Sequence, residues 1–360
     1  MAMDYHKTVN GGIEMTVRTF ATSAGRRQSH AILSADPMLP GRSQFDAMRR
    51  AVAVLPVSFG MTPVFARFFV SDAANQSPLL GDVLVCPYSI VEQPPSGGVK
   101  VAALVLMEDE PAADAALTHL YTPDKAPAGD SERATEEILR DYASDVSLLD
   151  ECVRTWFFVG DIDNNYAGMV RGRNTVFAER GLTPSTHFIA STGIGGRGAD
   201  HRAPVVFNAY AIRGLRSGQV SYLKALSNLN PTIEYGVAFE RATAVDFADR
   251  RMVLVSGTAS IDNKGEVVHH GDVVAQTDRM LDNVGALLAE GGCGFGDMIH
   301  AVVYLRDQAD FRVVCNLLAC RLPHVPLVVV YAPVCRPGWL IEMECMAVVA
   351  RDQNRLFPEF

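Results

Sequence analysis

Leu340-Ile-Glu-Met-Glu-Cys-Met-Ala347 is the stretch on which the reading of the whole chain turns. Its apolar residues enclose two carboxyl groups, Glu342 and Glu344, spaced two apart. Alternation along a strand points both to the same face of a sheet. If that face is buried, a carboxyl group there is costly unless it is paired or protonated. Burial also raises a carboxyl pKa, which is how a general acid is prepared. The plainer alternative is an edge strand with both glutamates in water.

Working outward, the last 125 residues show one clean succession of elements. Val237–Val245 and Met252–Ser256 read as a hairpin around Asp249-Arg250, and Asp262–Gly265 as a turn. Asp272 can cap a helix whose core face is Met280, Leu281, Val284, Leu287 and Leu288, ending at Gly291-Gly292. A strand over Ile299–Leu305, a helix over Ala309–Arg321 and strands over Pro326–Tyr331 and Leu340–Ala350 follow. The order β-β-α-β-α-β-β predicts two helices on one face of a mixed sheet, a stable two-layer solution.

Upstream the signal is weaker. Before residue 125, short apolar runs such as Val52–Val57, Val83–Val85 and Val101–Met107 alternate with turns, which suggests strands with few helices. Residues 132–150 carry Ile138, Leu139, Tyr142, Val146 and Leu149 at helical spacing, and a second helix is expected near 167–179. Leu226–Tyr235 is irregular and marks the domain boundary, giving domains 1–230 and 231–360. No sequence repeat is evident, although the front half can be a diverged copy of the back.

Composition narrows the function. A 360-residue chain of net charge −9, with 48% hydrophobic and 20% charged residues, is ordinary for a globular protein. Its acidity argues against nucleic-acid and anionic-membrane partners. Seven cysteines, odd in number and without Cys-x-x-Cys spacing, suit a reducing cytoplasm. No apolar run approaches the roughly 18 residues that span a bilayer.

Several motifs point nowhere further. Ser191–Gly198 (STGIGGRG) lacks the Lys-Ser/Thr of a phosphate loop and the following helix of a dinucleotide site, so it reads as a loop bordering a pocket. Asp161, Asp163 and Asn165 begin like a calcium loop, but Tyr166 and Gly172 stand where glycine and glutamate belong. His269-His270 has no partners at ligand spacing, and no metal is expected. Cys335 is either a nucleophile served by His300 or His324 or, better, a small residue of a pocket wall.

The C-terminal third resembles the Rid/YjgF family, also described as endoribonuclease L-PSP-like, in Val255-Ser-Gly-Thr-Ala259, Gly271-Asp272, Gln276-Thr277, Leu281-Asp-Asn-Val284, Val302-Val-Tyr-Leu305 and Ile341–Ala347. Deaminases of that family carry an arginine after the proline of the fifth strand; Val328 stands there in this chain, which argues against that activity. Over residues 150 to 350 the chain looks more like a chorismatase, the two-domain branch of the superfamily. The added resemblance lies in Arg154-Thr-Trp156, Asn164-Asn165 leading to Gly172-Arg173, Thr192-Gly-Ile-Gly195, Tyr235-Gly236, Phe239-Glu-Arg-Ala242 and Val267–Asp272.

That resemblance implies an α+β fold of two Rid/YjgF-like (chorismate-mutase-like) domains, the front one degenerate, with homotrimers as one possible assembly. It implies a dicarboxylate substrate, chorismate, and no cofactor. Glu342 matches the catalytic acid that protonates the enolpyruvyl methylene carbon. Arg154, Arg173 and Arg241 would hold carboxylates, and Tyr235 would line the pocket. Gly257 and Cys335 match the type of chorismatase that makes 3-hydroxybenzoate; the dihydrodiol type carries alanine at both positions. A Rid-type enamine, imine or enol-ether hydrolase and a non-catalytic metabolite-binding protein are the alternatives.

Overall fold

Three β-sheets, each with its own pair of helices, follow one another along the chain in a computed structural model that describes residues 3–110, 115–351 and 356–360. The first unit holds β1 (Met3–Asn10), β2 (Ile13–Ala21), β3 (Arg27–Ala35), α1 (Gly41–Phe59), β4 (Thr62–Val70), α2 (Ala73–Leu80), β5 (Tyr88–Glu92) and β6 (Val101–Glu108). The second holds β7 (Thr118–Lys125), α3 (Ser131–Tyr142), β8 (Cys152–Val159), α4 (Ile162–Glu179), β9 (Ala190–Gly195) and β10 (Val205–Arg213). The third holds β11 (Val220–Leu223), β12 (Ala242–Asp246), β13 (Arg250–Ala259), α5 (Val273–Glu290), β14 (Met298–Leu305), α6 (Phe311–Arg321), β15 (Leu327–Tyr331) and β16 (Ile341–Ala350).

The strand orders are β1-β2-β3-β6-β4-β5, β7-β10-β8-β9 and β11-β12-β13-β16-β14-β15. The first and third are the same arrangement. The second is that arrangement without its two leading strands. In each unit the last two neighbours run parallel and the other pairs antiparallel. The front of the chain is therefore a complete copy of the C-terminal layout followed by a trimmed one, and the third sheet begins at Val220, ahead of the expected boundary at 230.

The three units close around a common axis. Glu92, Gly195 and Tyr331 end the parallel edge strands of the three sheets. Glu92 N–H donates to Arg197 O (2.7 Å), Gly195 N–H to Pro333 O (2.9 Å) and Tyr331 N–H to Pro94 O (2.8 Å). Each donor thus reaches the residue two past its counterpart in the next unit, and the cycle closes. Each sheet also has both faces covered. In β6, Val101, Ala103, Val105 and Met107 pack with Phe45, Met48 and Val52 of α1, while Ala102, Leu104 and Leu106 pack with the third unit. Sheets buried on both faces read as continuous apolar runs, and β6 does.

Three expectations need correction. Val83–Val85 lies in the connection between α2 and β5 and forms no strand. Val52–Val57 lies inside α1, whose Phe45, Met48, Val52 and Leu55 recur at helical spacing on its buried face. Pro56, near the end of α1, disguised the helix as a short run, because proline normally interrupts one. The helix expected over 132–150 stops at Tyr142, and Val146 and Leu149 belong to the turns that follow. Elsewhere the C-terminal elements fall close to expectation, with β11 as an added edge strand and Asp272 Oδ1 accepting from Ala275 N–H (3.0 Å) to cap α5.

Candidate active site

β16 is a central strand, paired with β13 on one side and β14 on the other. Its alternation sends Ile341, Met343, Cys345 and Ala347 into the core of the third unit. Glu342 and Glu344 take the opposite face, toward the neighbouring units, and are 5% and 4% exposed. The edge-strand alternative is thereby removed. The counterparts of Glu342, found by pairing with Phe69 and Phe158 where Glu342 pairs with Tyr304, are Ala102 and Val206. The acid occurs once among the three units.

Glu342 opens into a cavity of about 220 Å³ between the second and third units. From the second unit come Tyr166 and Arg173 of α4 and Ser191 and Gly193 of β9. From the third come Gly257, Cys335, Arg336 and Trp339, with Phe239 and Arg241 in the segment entering β12. Gly172 permits the placement of Arg173: a Cβ there would meet Thr135 Cβ at 3.1 Å and the backbone of Glu132, so glycine lets α4 lie against α3. The guanidiniums of Arg173 and Arg241 stand 6.0 and 5.5 Å from the Phe239 ring centre. Arg241 Nη2 also donates to Asn230 O and Oδ1, each at 3.1 Å. Arg336 lies over Trp339 at 4.7 Å and donates to Gly265 O at 3.1 Å.

The two glutamates are driven apart electrically. Burial, followed by the charge of Glu344, raises the Glu342 carboxyl to about 8, against smaller opposing contributions from Arg154 and Arg241. Glu342 is therefore protonated at neutral pH. Burial would raise Glu344 too, but Arg154 and Arg67, with hydrogen bonds from Thr192 and Trp156, hold it below the usual carboxylate range. A pair of carboxyls split in this way, one kept neutral and one ionised, is the arrangement that acid catalysis needs.

Of the residues singled out in the sequence, Glu342, Arg173, Arg241, Gly257 and Cys335 meet in this cavity. Arg154 does not line it. Its side chain lies behind the site, 2% exposed, donating to Glu344 Oε2 (2.8 Å) and Thr192 Oγ1 (2.5 Å). Its place is fixed by a buried carboxylate partner, which the sequence could not show. Tyr235 ends a short turn, and its side chain lies outside the described residues. Burial pushes the Cys335 thiol up to about 12, so it stands as a thiol in the pocket wall. His300 bonds His30 and His324 packs on Tyr5. Arg336, Trp339 and Tyr166 also line the cavity, and no sequence motif marks them as site residues. Val328 is buried beside Val302, and its counterparts Ser89 and Thr192 pair with Arg67 and Trp156, so no unit carries an arginine at that position.

Residues 239–349 match the family described as Endoribonuclease L-PSP. The chain is 29% identical over 221 residues to a chorismatase of Streptomyces rapamycinicus, covering 53% of this chain and 62% of that one. It is 30% identical over 213 residues to a chorismatase of Streptomyces hygroscopicus, covering 54% and 60%. The match thus spans less than two thirds of either relative. A crystal structure of chorismatase superposes with a TM-score of 0.65 at 22% identity, over 79% of this chain and 93% of that one. Residues 239–349 are thus a domain of the endoribonuclease L-PSP type, and the chain as a whole shares its fold with the chorismatase crystal structure.

Proposed function

We propose that this chain cleaves the enolpyruvyl ether of chorismate, releasing pyruvate and 3-hydroxybenzoate, with Glu342 as general acid. The observation that carries the reading is one neutral, buried carboxyl group facing a cavity that also holds Arg173, Arg241 and Arg336. Three guanidiniums favour a ligand with more than one carboxylate, since arginine pairs with each in a two-point geometry. A neutral acid beside them supplies a proton rather than a charge.

The chemistry follows from that placement. Glu342 gives its proton to the methylene carbon of the enol ether, and the adjoining carbon becomes an oxocarbenium ion. The ether bond to the ring then breaks as a ring hydroxyl acts as internal nucleophile. Pyruvate and 3-hydroxybenzoate together hold the atoms of chorismate, so the proton lent to the carbon is recovered as the ring aromatises. Positioned proton transfer of this kind is worth roughly 10²–10⁴-fold in rate. Gly257 and Cys335 support the hydroxybenzoate product over the dihydrodiol. One chain supplies both sides of the cleft, so a homotrimer is not required to build the site.

The test is incubation of purified protein with chorismate, following pyruvate and identifying the aromatic product by chromatography and mass. Pyruvate with 3-hydroxybenzoate, lost in Glu342→Gln, is the expected result. Pyruvate with a dihydrodiol would keep the reaction and remove the argument from Gly257 and Cys335. No pyruvate above the spontaneous rate would overturn the reading.

A further inference from the structure

Glu344 does not line the cavity, yet one of its hydrogen-bond partners, Thr192, leads to the acid. Its carboxylate receives Arg154 Nη2 (2.8 Å), Thr192 Oγ1 (2.5 Å), Trp156 Nε1 (2.9 Å) and, more distantly, Arg67 Nη1 (3.4 Å). Arginine and tryptophan can only donate. Thr192 Oγ1 accepts from Arg154 Nη2 (2.5 Å) and from Gly257 N–H (2.9 Å), which fills both its lone pairs and commits its own proton to Glu344. Four donors converging on one carboxyl require it to be ionised.

The Gly257 backbone that Thr192 holds is where β13 shifts register against β16 between Val255 and Thr258. A second bond from the same pair of strands, Ser191 N–H to Ser256 Oγ (2.9 Å), pins the residue before it. The Glu342 carboxyl packs directly on this stretch, with its Cδ 2.9 Å from where a Cβ of residue 257 would lie. The chain of contacts therefore runs Glu344, Thr192, Gly257, Glu342 and crosses from the third unit to the second and back.

We propose that Glu344 is a positioning residue for the proton-transfer step: through Thr192 it fixes the Gly257 backbone against which the Glu342 carboxyl rests, and its fixed negative charge on the same strand face keeps that acid loaded. This rests on Glu342 being the acid proposed above. Two carboxylates sharing one buried face do not both ionise readily. Anchoring the first by four donors decides which of the two keeps its proton.

The experiment compares wild type, Glu344→Gln, Thr192→Val and Thr192→Ser by kcat and KM across pH with chorismate. Alongside, an infrared titration follows the protonated carboxyl band that disappears in Glu342→Gln. Glu344→Gln should move both the basic limb of kcat and the loss of that band to lower pH by about one unit or more. Thr192→Val should lower kcat by about tenfold or more at nearly unchanged KM, because misplacing a reacting group costs rate rather than binding. Thr192→Ser, which keeps the hydroxyl and its three hydrogen bonds, should restore it. Folded Glu344→Gln with the wild-type limb and band, or Thr192→Val with wild-type kcat, would overturn the proposal. If Glu344→Gln does not fold, the two Thr192 variants decide. If wild type releases no pyruvate, the substrate reading fails, while the infrared band of Glu344→Gln or, without it, of Thr192→Val still decides this inference: a band at wild-type pH refutes it and a displaced band sustains it.

Discussion

Residue 257 and the carboxyl of Glu342 occupy adjoining space so closely that the carboxyl keeps its present pose only beside a glycine: a Cβ there would overlap Glu342 Oε1 and come 2.9 Å from Cδ and 3.1 Å from Thr192 Cγ2. The obstructing atoms of Glu342 are the far end of a flexible side chain. An added methyl would therefore turn the carboxyl rather than disrupt the fold.

Gly257→Ala should accordingly cost less than about 1 kcal/mol of stability. It should change where the proton is delivered. Chromatography of the products is expected to show a lower rate and a shift from 3-hydroxybenzoate toward the dihydrodiol. An unchanged rate and product would show that the carboxyl does not need its present pose.

Glu342 makes the protein's stability fall with rising pH. Its carboxyl is raised from 4.5 to about 8 in the folded protein, so between those values the folded state binds more protons than the unfolded one. Stability from this group is fully present below about 4.5 and is lost as pH rises toward about 8. Glu342→Gln removes this contribution, while buried Glu108, raised to about 7, keeps one of the same sense. Melting temperatures at pH 6 and pH 8.5 should lie closer together for the variant than for wild type; an equal gap in both would mean that Glu342 is ionised throughout.

Arg154 and Arg173 should separate when each is replaced by methionine. Arg154→Met leaves the buried Glu344 short of its shortest ion pair, and breaking such a pair costs about 3–5 kcal/mol. Arg173→Met removes a cavity arginine and should raise KM about tenfold or more, in line with the 1.5–3 kcal/mol of a charged hydrogen bond. Urea unfolding and steady-state kinetics on both variants check this. A raised KM without lost stability in Arg154→Met would return Arg154 to the substrate.

How far the sequence could be read depended on whether a signal was local. The alternation in β16 and the helical face of α5 are properties of a few neighbouring residues, and both survive in the fold. The pairing of Arg154 with Glu344 joins residues 190 apart in the chain, and nothing near either one announces it. The first unit was obscured for another reason. Its central strand β6 is buried on both faces and so shows no alternation, and α1 carries a proline. Arg336 stands in the connection between β15 and β16, where no periodicity marks a side chain as facing a cavity.

His30 and His300 give a second pH dependence of opposite sense. Their Nδ1 atoms are 2.6 Å apart between the first and third units, and burial lowers both, His300 to about 4. Such groups contribute stability that is complete above the ordinary value of 6.5 and is lost as pH falls toward about 4. The melting temperature should drop through that window. The drop should be smaller in a His30→Gln/His300→Gln double variant, and an equal drop in both would assign the acid loss to other groups.

The ring of Glu92, Gly195 and Tyr331 has a consequence for how such a protein can change. In an assembly of identical subunits every substitution is made three times over, and an improvement to one cleft that spoils its neighbours is never an improvement. Joining the copies in a single polypeptide lifts that constraint. Ala102 and Val206 can be apolar where Glu342 carries its proton, and the freedom to be unequal is what one continuous chain adds to a three-fold layout.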